Sequence, residues 1–127
     1  MRILLADDHP VLLERVATLL RSSFDVVGTA HNGEDLIAEA MRLDPDVIVA
    51  DIMMPVLTGI EAAHQLHEAG SRARFVFLTI HSEDEFVRAC FAEGALGYVV
   101  KCRMGTDLIP AINAAFSGQS YVSRSVS

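Results

Sequence analysis

The chain has 127 residues, 51% of them hydrophobic and 21% charged, with 17 acidic against 10 basic side chains and a formal charge of -7. That length suits one domain with its own core, and the apolar fraction is too high for a disordered chain. The negative balance argues against direct contact with nucleic acid phosphates. The opening apolar run, Ile3 to Ala6, is cut off by Asp7 and Asp8, so no signal-peptide core forms there, and no stretch has membrane-spanning length. A cytoplasmic location is expected. Cys90 and Cys102 lack metal-type spacing and read as core or surface thiols of a reducing compartment.

Arg2 to Ala6 predicts a first buried strand, closed by Asp7-Asp8-His9-Pro10. Pro10 suits the first turn of a helix, along which Leu13, Val16, Ala17 and Leu20 form one apolar stripe. Phe24 to Ala30 predicts a second strand, and Asn32-Gly33 turns the chain into a helix with Ile37, Ala40 and Met41 on one face. Asp44-Pro45 stops that helix, because a residue before proline avoids helical geometry. Val47 to Ala50 is a short apolar run ending on Asp51, as in a strand buried on both faces. A third helix follows Gly59 and runs to Ala69, with Gly70 after its end. Arg74 to Ile80 predicts the fourth strand, and Ser82 offers an N-cap to a helix whose apolar side is Phe86, Val87, Cys90 and Phe91. Leu96 to Val100 predicts the fifth strand, with Lys101 directly after it. Thr106 could cap a last helix lined by Leu108, Ala111, Ile112 and Ala115, with Pro110 in or just after its first turn.

Strands alternating with helices through short loops predict an α/β fold with a doubly wound, five-stranded parallel sheet and helices on both faces. The flavodoxin-like order 2-1-3-4-5 places the uninterrupted apolar strands centrally and leaves strands two and five, which carry Asp25 and Gly97-Tyr98, at the edges. Residues 1–118 form this domain, and 119–127 read as a solvated tail or the start of a linker.

Parallel strands open their carboxyl ends on one edge, so Asp7, Asp8, Asp51, Thr79 and Lys101 should converge there. Crowded carboxylates repel and call for a hard divalent cation with oxygen ligands, for which Mg²⁺ is the natural candidate. A carboxylate can also attack phosphorus to give an acyl phosphate, with the lysine and threonine holding the phosphoryl oxygens.

Asp7-Asp8, Asp51 followed by Met54-Pro55 and Gly59, Thr79, and Gly97-Tyr98-x-x-Lys101 together resemble the receiver domain of two-component response regulators across essentially the whole chain. Asp-Asp-His-Pro, Gly-Tyr-Val-Val-Lys and Gly118-Gln-Ser-Tyr-Val-Ser resemble the NarL/FixJ type. The resemblance implies Asp51 as phosphoacceptor from a histidine kinase. It implies that Asp7, Asp8, Asp51 and the Met53 backbone carbonyl hold Mg²⁺, that Thr79 and Lys101 assist, and that Thr79 and Tyr98 switch. It further implies homodimerisation on phosphorylation, no catalysis beyond the domain's own phosphorylation and dephosphorylation, and a helix-turn-helix DNA-binding domain after this segment. A stand-alone or phosphorylation-independent receiver, acting as a dimerisation module, is the alternative.

Several positions depart from the commoner family pattern. Cys102 follows the lysine in place of proline, Ile80 follows Thr79 where a smaller residue is frequent, Val56 replaces a frequent glycine, and Thr58 an acid or amide. Taken singly, each acid, Thr79, Lys101 and Tyr98 has an ordinary structural reading, and only their convergence favours function. His64 and His67 lack a third ligand, and His9 is simplest as a loop residue near the acids. A haloacid-dehalogenase-type phosphatase would need an acid at Met53, and a flavodoxin-like nucleotide module would need a phosphate-binding loop where Asp7-Asp8-His9-Pro10 stands.

Overall fold

The computed structural model describes residues 1–123. Strands β1 (Arg2–Ala6), β2 (Asp25–Ala30), β3 (Val47–Ala50), β4 (Arg74–Thr79), β5 (Gly97–Val100) and β6 (Tyr121–Val122) form one parallel sheet in the order β2-β1-β3-β4-β5-β6. Helices α1 (Pro10–Arg21), α2 (Gly33–Leu43), α3 (Gly59–Glu68), α4 (Asp84–Ala92) and α5 (Met104–Phe116) cover its two faces. Among the described residues no helix is long and apolar enough to cross a membrane.

Successive side chains on a strand point to opposite faces, and this divides the core in two. Leu4, Ile48, Phe75, Phe77 and Tyr98 pack with Leu36 of α2, Ala62 and Leu66 of α3 and Val87 of α4. Their neighbours Ile3, Leu5, Val47, Val49, Val76 and Val99 pack with Leu13, Val16 and Leu20 of α1 and Leu108 and Ile112 of α5. Each large aliphatic side chain buried this way contributes about 1.5–3 kcal/mol.

The helix ends have local causes. Asn32 caps α2 by accepting the Asp35 amide at 2.8 Å. Thr58 and Glu61 form a reciprocal capping box on α3. Helix α2 ends on Asp44 at φ +48°, which frees the chain to enter Pro45.

Three expectations are corrected. The expected five-stranded order 2-1-3-4-5 holds, but a short sixth strand extends it where a solvated tail was expected, because Tyr121 and Ser123 donate their amides to Leu96 (2.8 Å) and Tyr98 (2.7 Å). Strand β5 is therefore not an edge, and two residues were too few to show a strand period. The rest of the expected tail, 124–127, lies outside the described residues. Helix α5 starts at Met104, after a single 3-10 turn at Lys101–Arg103, so Thr106 is not its cap and Pro110 lies in its interior. An ion pair between Arg103 and Asp107 at 2.9 Å closes that first turn. Helix α4 is preceded by Glu83, not Ser82, in the cap position and has no side-chain cap.

Candidate functional site

The parallel ladder runs one residue past β1 and β3 at their carboxyl ends. The Asp7 amide donates to the Ala30 carbonyl (3.1 Å) and the Asp51 amide to the Ala6 carbonyl (3.0 Å). Both acids thus sit on backbone fixed by the sheet, and both are buried, 5% and 6% exposed.

Lys101, one residue beyond β5, reaches across to both. Its Nζ lies 2.9 Å from Asp7 Oδ2 and 2.9 Å from Asp51 Oδ2. The remaining oxygens are held locally: Asp51 Oδ1 accepts the Ile52 amide at 2.7 Å, and Asp7 Oδ1 the His9 amide at 2.9 Å. Burial works against the Lys101 ammonium, but its bonds to Asp7 and Asp51 outweigh that and hold its pKa above the ordinary lysine value.

Asp8 lies beside this pair. Its Oδ1 is buried and has no hydrogen-bond partner among the described residues. Ligand atoms of Asp7, Asp8 and His9 lie within 4.8 Å of one another. Lys101 thus bonds two of the three carboxylates, and the buried Oδ1 of the third, Asp8, has the His9 Nε2 3.8 Å away. A carboxylate-rich, excess-negative set of this kind, with one buried oxygen lacking a hydrogen bond, fits a hard divalent cation such as Mg²⁺. The Met53 carbonyl belongs to the loop directly after Asp51, and the Met53 side chain is exposed.

That loop is shaped by two special backbones. A Cβ on Gly59 would lie 2.1 Å from the Asp51 carbonyl oxygen, so only glycine lets α3 start this close beneath the acid. The Gly59 amide donates to the Ile52 carbonyl at 2.7 Å. Val56 has φ +72°, and the Leu57 amide donates to the Pro55 carbonyl at 2.8 Å, making a γ-turn with a β-branched residue at its centre. Thr58, read from sequence as a departure, turns out to be the α3 N-cap. The Thr-x-x-Glu spacing before an apolar run was the signal for it.

Thr79 ends β4 fully buried, its Oγ1 accepting the His81 amide at 3.3 Å. Tyr98 is fully buried too, and its hydroxyl donates to the His81 carbonyl at 2.6 Å. The His81 ring stacks on Phe86 of α4, centroids 4.6 Å apart. Thr79 and Tyr98 thus meet at one residue of the β4–α4 loop. Gly97 beside them lets β5 pass close to Val76, whose side chain a Cβ would meet at 2.8 Å. Ile80 is exposed at the rim.

His64 and His67 do not join the acids. His64 Nδ1 pairs with Glu93 Oε1 at 2.8 Å, and His67 packs edge-on against Phe75. Burial pushes the Cys90 thiol up to about 12, while Cys102 is exposed.

Residues 3–113 match the family model described as the response regulator receiver domain. The chain is 38% identical over 122 residues to the uncharacterized transcriptional regulatory protein YxjL of Bacillus subtilis (strain 168), covering 94% of this chain and 56% of that protein. It is 37% identical over 126 residues to the nitrate/nitrite response regulator protein NarL of Escherichia coli (strain K12), covering 98% of this chain and 58% of that protein. A solved LuxR-family two-component response regulator from Aurantimonas sp. SI85-9A1 superposes with a TM-score of 0.91 at 31% identity, over 96% of this chain and 88% of that one. The chain spans a little over half the length of these curated relatives. With its parallel sheet and five helices, the chain belongs to the response regulator receiver domain family and is a receiver domain of the NarL/FixJ type.

Proposed function

We propose that Asp51 accepts a phosphoryl group from a phosphohistidine of a histidine kinase, with Asp7, Asp8 and the Met53 carbonyl holding Mg²⁺ beside it. The observation that carries this reading is the Lys101 ammonium, 2.9 Å from a carboxylate oxygen of both Asp7 and Asp51 at the carboxyl edge of the sheet. An Asp51 oxygen forms the new O–P bond as the P–N bond to the donor imidazole breaks, leaving its electron pair on that nitrogen. Lys101 turns from the carboxylate to a phosphoryl oxygen, and the Thr79 hydroxyl donates to another. A bound Mg²⁺ would neutralise charge on the transferring group. Thr79 then draws on the His81 loop that also holds Tyr98, which reshapes the face formed by α4, β5 and α5.

The domain catalyses only its own phosphorylation and dephosphorylation. In the cytoplasm it would control homodimerisation and, through a helix-turn-helix domain beyond this segment, transcription. The test is intact mass after incubation with acetyl phosphate and Mg²⁺. The wild type is expected to gain one phosphoryl group and Asp51→Asn none; no gain on the wild type, or equal gain on both, overturns the reading.

The buried Tyr98 ring favours a second reading. The ring is already fully buried and its hydroxyl already held by the His81 carbonyl, with no phosphoryl group needed to draw it in. On that reading the signalling face is set beforehand and the domain works as a dimerisation module independent of phosphorylation.

A further inference from the structure

Lysine carries its charge on a flexible four-carbon stem, so whether Nζ meets two carboxylates at once depends on where its Cα is held. Lys101 opens the 3-10 turn Lys101–Arg103, and that turn is tied at both ends by residues outside the acidic site. Before it, the Val100 amide donates to Ser123 Oγ at 3.1 Å, while the Ser123 amide donates to the Tyr98 carbonyl at 2.7 Å. After it, Arg103 Nε donates to Asp107 Oδ2 at 2.9 Å and the Thr106 hydroxyl to Asp107 Oδ1 at 3.1 Å. Ser123 and Asp107 are both buried. Arg103 foremost, and against the effect of burial the hydroxyls of Ser123, Thr106 and Tyr121, hold the Asp107 carboxyl below its ordinary range. Ser123 thus bonds the residue before Lys101, and Asp107 anchors the residue two after it.

We propose that Ser123 and Asp107 form a latch that positions Lys101 against Asp7 and Asp51, so that docking of residues 121–123 and the state of the Asp51 carboxylate are coupled. The inference rests on the reading of Asp51 as phosphoacceptor only for its effect on rate. Coupling of this kind is reciprocal: drawing Lys101 towards a new phosphoryl oxygen loosens the Ser123 tie, and lifting β6 from β5 weakens the lysine bridge.

The experiment compares wild type, Ser123→Ala and Ser123→Thr by two measurements. One is acetic anhydride labelling of Lys101, read by peptide mass with no phosphoryl donor present; the other is the rate of phosphorylation by acetyl phosphate and Mg²⁺. Ser123→Ala is expected to raise Lys101 labelling and to slow phosphorylation, each by about threefold, the scale of coupling between bonded neighbours. Ser123→Thr keeps the hydroxyl and should restore both. In a Lys101→Met background, Ser123→Ala should leave the residual rate unchanged. Equal labelling in wild type and Ser123→Ala, or the same slowing in the Lys101→Met background, overturns the latch. Asp107→Asn keeps the shape of the side chain and should shift labelling in the same direction, so the latch is decided even where Ser123→Ala fails to fold. A wild type that gains no phosphoryl mass overturns the phosphoacceptor reading alone, since labelling still decides the latch.

Discussion

Val56 is the residue whose sequence reading gained most from the backbone. From sequence it is a valine in a loop position where the family often has glycine, and φ +72° supplies the reason. A β-branched residue in the left-handed region is strained by roughly 1–2 kcal/mol, whereas glycine there costs about 0.5–1 kcal/mol in unfolded-state entropy. Val56→Gly is therefore expected to stabilise the fold by about 0.5–1 kcal/mol, since the exposed side chain gives up little packing. Urea denaturation with an unchanged m-value measures this, and a destabilised variant would show that the γ-turn carries no strain. At the same scale, the acids and Lys101 were legible because each directly follows an apolar strand run. Ser123 and Asp107 were not, because their bonds join residues that only the folded sheet brings together. The Tyr98 reading as an edge residue missed both β6, which extends the sheet past β5, and the packing of Val87 and Cys90 of α4 in the cluster that buries the ring.

Among the elements, α5 departs most from its sequence reading. A proline within a helix removes the amide that would bond the carbonyl four residues back, here that of Thr106, and crowds it. Pro110 lies six residues after the helix start at Met104, past the turn where this is harmless. The Arg103–Asp107 pair and the β6 docking hold the helix start in spite of it. Pro110→Ala should raise stability by about 2 kcal/mol, the interior penalty less the unfolded-state restriction that proline supplies. Thermal unfolding checks it, and an unchanged midpoint would mean that the helix already absorbs the proline without cost. Between α3 and α4, the bond from His64 to Glu93, with that carboxylate's charge and then Glu68's, raises the imidazole pKa. A raised histidine pKa adds stability that is fully present below its ordinary value near 6.5 and fades as pH rises through the folded value. The difference in Tm between wild type and His64→Gln should thus be larger at pH 6 than at pH 8. An equal difference at both would remove any role for the charged pair. Helix and strand order were readable because stripes of period 3.6 and short apolar runs alternate without a break, whereas β6 has neither period nor length.

For the whole molecule, the excess of 17 acidic over 10 basic side chains resists self-association unless a specific face offsets it. On the switch reading, beryllofluoride with Mg²⁺, which mimics the acyl phosphate, should raise the weight-average sedimentation coefficient towards that of a dimer. A dimer already present without the mimic, and unaffected by it, would instead support the preset face that the buried Tyr98 suggests. The parallel direction of β6 has one more consequence. Met1 precedes β1 at the amino edge of the sheet, whereas Ser123 follows β6 at the carboxyl edge, beside the turn that carries Lys101. A fluorophore coupled at residue 1 and one coupled at Val122 straddle the sheet from edge to edge. Only the second stands where it can report events at the acids, so a sensor built on this domain belongs at that end.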